Sequence, residues 1–526
     1  MRETKGLGLY NVVVIGGGTA GLVTAAGTAA LGGRVALIER NRMGGDCLNY
    51  GCVPSKALIA SARLIDRIRH ASRWGLEEQE AKFEFENVFE SMRSRRGKIA
   101  PHDSIERFES LGVDVFSGEA SFESPNEVMI DDQKLQAKNF VIAAGTRAGN
   151  PAIEGIQNVR FFTNETIFDE LTTKPDSMIV LGGGPIGCEL SQVISRLSVK
   201  VTIIEVLDQI LPKEDRDLAD WMETHLEMEG VRVLRSSQVT RVSLQNGKVR
   251  FELVRRPRDD REPEAMQIVA DTLLVSAGRV PNIERLNLEA PGVKFNARGI
   301  EVNAYLQTSR PHIYAAGDIV GPYQFTHTAD AQARVVVRNI LMPFQLLRQK
   351  MDYSVVPWCT YTDPEIARVG LNEAEAKQQN ISYDLIRVDI NELDRAVIEG
   401  EALGFIKVLA AKGTDKILGV TVVAAHAGDL LHEFVLAMKY RIGLGQLAAT
   451  IHAYPTFAEL ARKVGDHYNK KRLTPFLRKV FNWLYQRSRA ASRARFASVP
   501  NGQQIESRKV SENEHESRCR DRAWFP

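Results

Sequence analysis

Residues 10–21 read Tyr-Asn-Val-Val-Val-Ile-Gly-Gly-Gly-Thr-Ala-Gly, a β-branched apolar run that passes directly into a G-x-G-x-x-G at Gly16, Gly18 and Gly21. An Ala-rich helical stretch follows, then a second apolar run, RVALIE at 34–39, ending in an acid 18 residues after Gly21. Short continuous apolar runs suit strands buried on both faces of a parallel sheet. The glycines let the backbone turn tightly and approach a pyrophosphate at a helix N-terminus, and Glu39 is placed to accept ribose hydroxyls. A glycine-rich turn in some other α/β domain would leave Glu39 unexplained.

The same grammar recurs. Met-Ile-Val-Leu at 178–181 precedes Gly182, Gly184 and Gly187 of a second G-x-G-x-x-G, and the run KVTIIE at 200–205 ends in Glu205, again 18 residues on. Two dinucleotide folds imply two dinucleotides, and the economical pair is a bound flavin and a diffusing nicotinamide nucleotide. A carboxylate at 205 repels a 2′-phosphate and pairs with a free 2′-hydroxyl. Val206, Leu207 and Asp208 follow without an Arg, so NADH is favoured over NADPH.

Composition sets the outer bounds. At 526 residues, 44% hydrophobic and 25% charged, the chain reads as globular, with about three to four domains. Lys and Arg number 68 against 66 Asp and Glu, a net charge of +2 that argues against nucleic-acid binding. No apolar stretch is long enough to span a bilayer, and the N-terminus runs into the first strand without a cleavable signal peptide, so a cytoplasmic protein is expected. Five cysteines make no disulfide scaffold. Cys188, Cys359 and Cys519 are isolated, whereas Cys47 and Cys52 stand close together.

Pro54 and Ser55 after Cys52 suggest that this thiol starts a helix, where the positive dipole end favours thiolate, so a redox-active pair is expected. Two core cysteines or a zinc site are the other readings of a C-x4-C. No second C-x-x-C or His-x3-His completes a tetrahedral set.

GGDCLNYGCVPSK at 44–56 resembles the redox signature of class I pyridine nucleotide-disulfide oxidoreductases, the family of glutathione reductase, dihydrolipoamide dehydrogenase and mercuric reductase. The resemblance runs from about residue 10 to about 468, through SAGRVPN at 276–282 and TSRPHIYAAGD at 308–318. It implies an α/β fold of two doubly wound dinucleotide-binding domains, for FAD and NAD(P), with a C-terminal α+β dimerisation domain. It further implies that Asp318 contacts the ribityl-pyrophosphate region of FAD, and that Lys56 lies near the flavin N5 in an ion pair with Glu189. Electrons would pass from NAD(P)H through the flavin to a Cys47–Cys52 disulfide. Cys52 would be nearer the flavin, and Cys47 would attack a disulfide or ligate a soft metal ion.

Disulfide reductases of this family end in His-Pro-Thr-x-x-Glu, whose His protonates the leaving thiolate. This sequence has Tyr454 in the His place, with Glu459 in the Glu place and His452 two residues earlier. A phenol, with a reference pKa of about 10, is a poor proton shuttle at neutral pH, so His452 and Tyr454 both stand as candidates. A Tyr before Pro here resembles mercuric reductases, as does FTHTADAQARVVVR at 325–338 their relatives. Their G-M-T-C-x-x-C module before residue 10 and their late vicinal Cys-Cys have no counterpart. The expected substrate is a soft metal ion, with Cys47 and Cys52 as transient Hg(II) ligands and no permanent metal site, or a disulfide. The alternatives are a dihydrolipoamide dehydrogenase and a membrane-docked redox sensor or binding subunit.

The expected layout is an FAD domain at 1–160 and 281–350, an NAD(P) domain at 161–280, and a dimerisation domain at 351–468. In a homodimer His452, Tyr454 and Glu459 would reach the partner's cysteines. Residues 470–495 hold nine Lys or Arg and no acid, with Leu473, Phe476, Leu477, Val480 and Leu484 on one helical face and Trp483 and Tyr485 nearby. Such a basic amphipathic helix suits peripheral contact with an anionic membrane, or packing on the body with its basic face in water. Residues 498–526 are expected to be a disordered tail.

Overall fold

The computed structural model describes residues 8–256, 262–342 and 344–497. Strand Tyr10–Ile15 is central in a parallel sheet, with Val35–Glu39 and then Val113–Ser117 on one side and Gln133–Ile142 and then Ile313–Ala315 on the other. Val12, Val13 and Val14 are wholly buried, as strands covered on both faces require. Strands Ala120–Ser124 and Glu127–Ile130 extend the sheet as an antiparallel ribbon on the first half of Gln133–Ile142. Because the neighbours of Tyr10–Ile15 are reached on opposite sides, a crevice opens at the strands' carboxyl ends.

That crevice needs glycine. Gly16 has φ +110°, and a Cβ there would lie 2.3 Å from the Ala143 carbonyl oxygen, while a Cβ on Gly21 would lie 1.8 Å from that of Gly16. A second parallel sheet, ordered Arg232–Leu234, Lys200–Ile204, Ser177–Leu181, Thr272–Val275, repeats the device. Gly182 has φ +111°, and a Cβ on Gly187 would lie 2.0 Å from the Gly182 oxygen.

The third module is a five-stranded antiparallel sheet, ordered Pro357–Thr360, Glu365–Gly370, Ile417–Ala424, Phe405–Ala411, Tyr383–Asp389, with helix Ala427–Tyr440 packed on it. Lys407 of this sheet is buried yet paired with Asp215 (2.9 Å), Asp217 (3.0 Å) and Glu373 (2.6 Å), which ties the start of helix Arg216–Met228 of the second module to the third.

The chain forms one compact unit to Tyr468 and another from Asn469. The expected helix over 470–495 is corrected: residues to 472 complete helix Glu459–Arg472, and a new helix runs Pro475–Ala497. Leu473 therefore lies in the break rather than on the amphipathic face. The cause is Pro475, which cannot donate a helical hydrogen bond and steers the residue before it out of helical backbone. Thr474 caps the new helix, its hydroxyl accepting from Leu477 N at 3.3 Å. The expected tail at 498–526 and Cys519 lie outside the described residues.

Candidate active site

The redox loop is laid on the first glycine turn. Gly44 N donates to Gly17 O (2.9 Å), and a Cβ on Gly45, which has φ +58°, would lie 2.6 Å from Gly18 Cα. The short helix Gly45–Asn49 carries Cys47, and Cys52 is the first residue of helix Cys52–Arg69, as its following Pro and Ser suggested. Both thiols are free. The Cys47 thiol donates to the Cys52 sulfur, which pulls Cys52 down to about 6; burial opposes this, and Lys56 and the Thr326 hydroxyl, 3.6 Å away, reinforce it. The same bond raises Cys47 far above an ordinary thiol. The pair therefore holds one thiolate on Cys52 and one proton on Cys47 at neutral pH.

Burial works against the charge of Lys56, but Glu189, 2.8 Å from its ammonium, overrides burial and raises it. The buried Glu189 also accepts from Tyr361 N at 2.8 Å, and the Tyr361 ring lies 4.3 Å from Lys56 Nζ.

A cavity of about 790 Å³ runs from the first glycine turn to this pair, lined among others by Gly18, Glu39, Cys47, Thr146, Asp318 and Thr326. Its size suits a dinucleotide. Helix Thr19–Ala30 starts at Gly18 without a side-chain cap, leaving its first N–H groups for a pyrophosphate. Burial pushes Asp318 up, against the pull of Arg279, and Thr146 donates to it at 3.4 Å. These residues fit FAD. Glu39 has a task the sequence did not show: its carboxylate accepts from Gly17 N (2.6 Å) and Asn41 N (2.7 Å), bracing the turn, and each oxygen keeps a second lone pair for ribose.

Glu205 does the same in the second module, accepting from Gly183 N (2.7 Å) and Leu207 N (2.8 Å). A Cβ on Gly184, where helix Pro185–Arg196 begins, would meet nothing, so that turn is open to a pyrophosphate. Arg216 stands 2.7 Å from Asp208, a neighbourhood the residues directly after Glu205 did not reveal.

The C-terminal candidates separate. The His452 side chain is 6% exposed, with Nε2 2.9 Å from Glu433 Oε1 and Nδ1 2.9 Å from the Thr450 carbonyl. Tyr454 is exposed and donates to Asp394 Oδ2 (2.9 Å), which raises its pKa. Glu459 is buried and pairs with Arg462 at 2.7 Å. Among the described residues none of the three is hydrogen-bonded to Cys47 or Cys52, and no cluster of His, Cys, Asp or Glu forms a metal-ligand set.

Two dinucleotide cradles, with a dithiol lying across one of them, define an enzyme that moves electrons between nucleotide cofactors and sulfur. The pyridine nucleotide-disulphide oxidoreductase model matches residues 10–333, and the model of that family's dimerisation domain matches 356–464. The chain belongs to the pyridine nucleotide-disulfide oxidoreductase family, whose cofactors, FAD and NAD(P)H, it uses, and its dimerisation domain makes it a homodimer. Dihydrolipoyl dehydrogenase of Bacillus subtilis is 32% identical over 467 residues, covering 86% of this chain and 96% of that one. Mercuric reductase of Lysinibacillus sphaericus is 31% identical over 451 residues, covering 86% and 81%. A solved Cu(II) complex of the HOCl-induced flavoprotein disulfide reductase RclA from Escherichia coli superposes with a TM-score of 0.77 at 25% identity, covering 88% and 99%.

Sequence reading missed Thr326, Tyr361 and Arg279 as neighbours of the site. Thr326 and Arg279 stand inside motifs quoted for other reasons. Arg279 donates to Thr146 (2.7 Å) and pairs with Asp46 (3.3 Å). Tyr361 carries no local signal, since only sheet packing brings it to Glu189.

Proposed function

We propose that this homodimer is a mercuric-reductase-like FAD-dependent NAD(P)H oxidoreductase that delivers electrons through Cys52 and Cys47 to a soft metal ion presented as a thiolate complex, Hg(II) foremost. The observation that supports this reading is the pair Tyr454 and His452. A disulfide acceptor breaks an S–S bond and its leaving thiolate is protonated by an acid of the site, whereas a metal ion passed from its thiolate ligands to Cys47 and Cys52 breaks no S–S bond, and the displaced thiolates take their protons from solvent. The segment offers an exposed phenol held protonated by Asp394, and turns His452 inward to Glu433.

Bound FAD supplies the two-electron relay between nicotinamide and sulfur. The chain's own residues do the rest. Gly16, Gly18, Gly21, Glu39 and Asp318 seat one nucleotide and Gly182, Gly184, Gly187 and Glu205 the other, with Glu205 favouring NADH. Lys56, held by Glu189, keeps the Cys52 thiolate beside the flavin. Cys47 meets the acceptor. The pair cycles between the disulfide and a thiol–thiolate state with two electrons and one proton, the proton held on Cys47. Tyr454 and Glu459 act on the partner's cysteines in a composite site. The FAD domain spans 1–160 and 281–350, the NAD(P) domain 161–280 and the dimerisation domain 351–468, in a cytoplasmic protein.

The test is oxidation of NADH and NADPH by FAD-loaded protein with Hg(II) plus excess thiol, Cu(II) plus thiol, oxidised glutathione and lipoamide as separate acceptors. Copper belongs in the set because the structural relative RclA was solved as a Cu(II) complex. Metal-dependent turnover lost in Cys47→Ser is expected. Turnover with lipoamide or glutathione alone refutes the metal reading and makes the chain a dihydrolipoyl-dehydrogenase-like or thiol-redox enzyme.

A second role is supported by helix Pro475–Ala497. Phe476, Val480, Leu484, Leu477 and Phe481 share one side, Arg478, Lys479 and Arg489 the other, and Trp483 and Tyr485 stand at 51% and 70% exposure. No described helix is long and apolar enough to cross a membrane. A basic helix with exposed aromatics matches an anionic lipid surface in both charge and polarity. The full chain should then sediment with phosphatidylglycerol vesicles and not with phosphatidylcholine, and Phe481→Ser with Leu484→Ser should abolish this. Equal recovery with both lipids, or with neither, refutes it.

A further inference from the structure

Strand Pro357–Thr360 and the residue after it reach the segments that carry two of the groups beside the Cys52 sulfur, Thr326 and Lys56. Thr326, whose hydroxyl lies 3.6 Å from Cys52 Sγ, is flanked by Phe325 and His327. The Phe325 ring stacks on Trp358 at 6.2 Å and 17°, and the His327 Nε2–H donates to the Pro357 carbonyl at 2.8 Å. From the same strand end, Tyr361 N holds Glu189, which holds Lys56.

Trp358 is itself clamped from behind. Its Nε1–H donates to Glu214 Oε1 (3.0 Å), and the Arg368 guanidinium lies 4.3 Å from its ring centre. Arg368 is buried and also reaches Glu214 (3.2 Å) and Glu375 (3.0 Å). Glu214 directly precedes the helix start that Lys407 anchors through Asp215 and Asp217. Removing one member of such a buried charge cluster leaves the others unpaired, so the cluster holds a fixed arrangement.

We propose that Trp358, locked by Glu214 and Arg368, is a positioning residue for the reactive thiol: it fixes the Phe325-Thr326-His327 segment, and with it the Thr326 hydroxyl on Cys52. The proposal rests on the reading of Cys52 as the thiolate that faces the flavin. Trp358 and Arg368 lie on strands of the third module and Glu214 in the second, while Thr326 starts a helix of the first. The orientation of the three modules thus becomes a setting of the sulfur's hydrogen bond. A hydrogen bond to a thiolate weakens steeply once distance and angle relax, so a loosened Phe325 costs the thiolate a partner without touching the nucleotide cradles.

The test uses full-length, FAD-loaded protein reduced with two electrons, as wild type, Trp358→Leu and Phe325→Leu. Three quantities are read: the long-wavelength thiolate-to-flavin absorption at pH 7, thiol-dependent turnover with the working acceptor, and NAD(P)H:ferricyanide turnover, which draws electrons from the flavin without the thiols. Both variants should lose about half or more of the absorption and about tenfold in thiol-dependent kcat. Ferricyanide turnover and the KM for the nicotinamide nucleotide should stay within about twofold of wild type. Trp358→Phe, which keeps the ring and loses the Glu214 bond, should fall between. Unchanged absorption in both Leu variants overturns the proposal, and so does a parallel loss of ferricyanide turnover, which marks general damage. If Trp358→Leu does not fold, Phe325→Leu decides alone. A wild type without the absorption refutes instead the reading of Cys52 on which the proposal stands.

Discussion

Lys56 Nζ lies 2.8 Å from Glu189 Oε2, joining helix Cys52–Arg69 of the first dinucleotide module to helix Pro185–Arg196 of the second across 133 residues of sequence. The pair holds a cation beside Cys52 that would otherwise be lost to solvent, and it pins the two modules at that point.

Lys56→Met removes the cation and leaves the buried Glu189 without its counter-ion, held only by Tyr361 N. The Cys52 thiolate should titrate higher by about one pH unit. Because Lys56 is a third exposed, water takes up part of the loss, and stability should fall by about 1–3 kcal/mol. A pH titration of the thiolate-to-flavin absorption and a thermal melt read the two effects separately.

The sign of the pH dependence follows from Cys52 itself. A thiol lowered to about 6 is thiolate above that pH and protonated below it. In reduced, FAD-loaded protein the absorption should appear as pH rises through about 6, where an ordinary thiol would need a pH near 9. Cys52→Ala should abolish it at every pH.

Cys47→Ser separates the two sulfurs. Its hydroxyl still donates to Cys52, so the absorption should persist while turnover with any thiol-dependent acceptor falls by at least about a thousandfold. Retained turnover would transfer the substrate-facing role to another group.

Tyr454→His restores a titrating acid where disulfide reductases have one. Turnover with a small disulfide should rise about tenfold to a hundredfold, and metal-dependent turnover should not rise. Steady-state kinetics with both acceptors on one preparation provides the comparison.

Glu205→Arg should shift preference toward NADPH, as the removed carboxylate no longer opposes a 2′-phosphate. Because Glu205 also braces Gly183 and Leu207, KM for both nucleotides should rise, and Glu205→Gln, which keeps an acceptor, should show the smaller rise. An unchanged NADH:NADPH ratio of kcat/KM in Glu205→Arg assigns the choice to another residue.

Both dinucleotide cradles and the dithiol were legible in the sequence because their physics is local. Gly16 and Gly182 must turn where only glycine turns, Gly21 and Gly187 must let a helix close on that turn, and Cys52 gains its helix start from residues directly beside it. The expected helix through Leu473 failed for an equally local reason, since a hydrophobic period says nothing of the backbone break that Pro475 imposes. What only the tertiary structure decided are contacts between elements far apart in the chain: Thr326 and Lys56 on Cys52, Tyr361 on Glu189, Glu214 on Trp358. The placements of His452 and Tyr454 fall in the same class. Two residues apart in sequence, one is turned into the fold by Glu433 and the other left outside on Asp394. Burial and partner choice depend on the packing of distant segments, and that packing decides which of the two side chains is exposed.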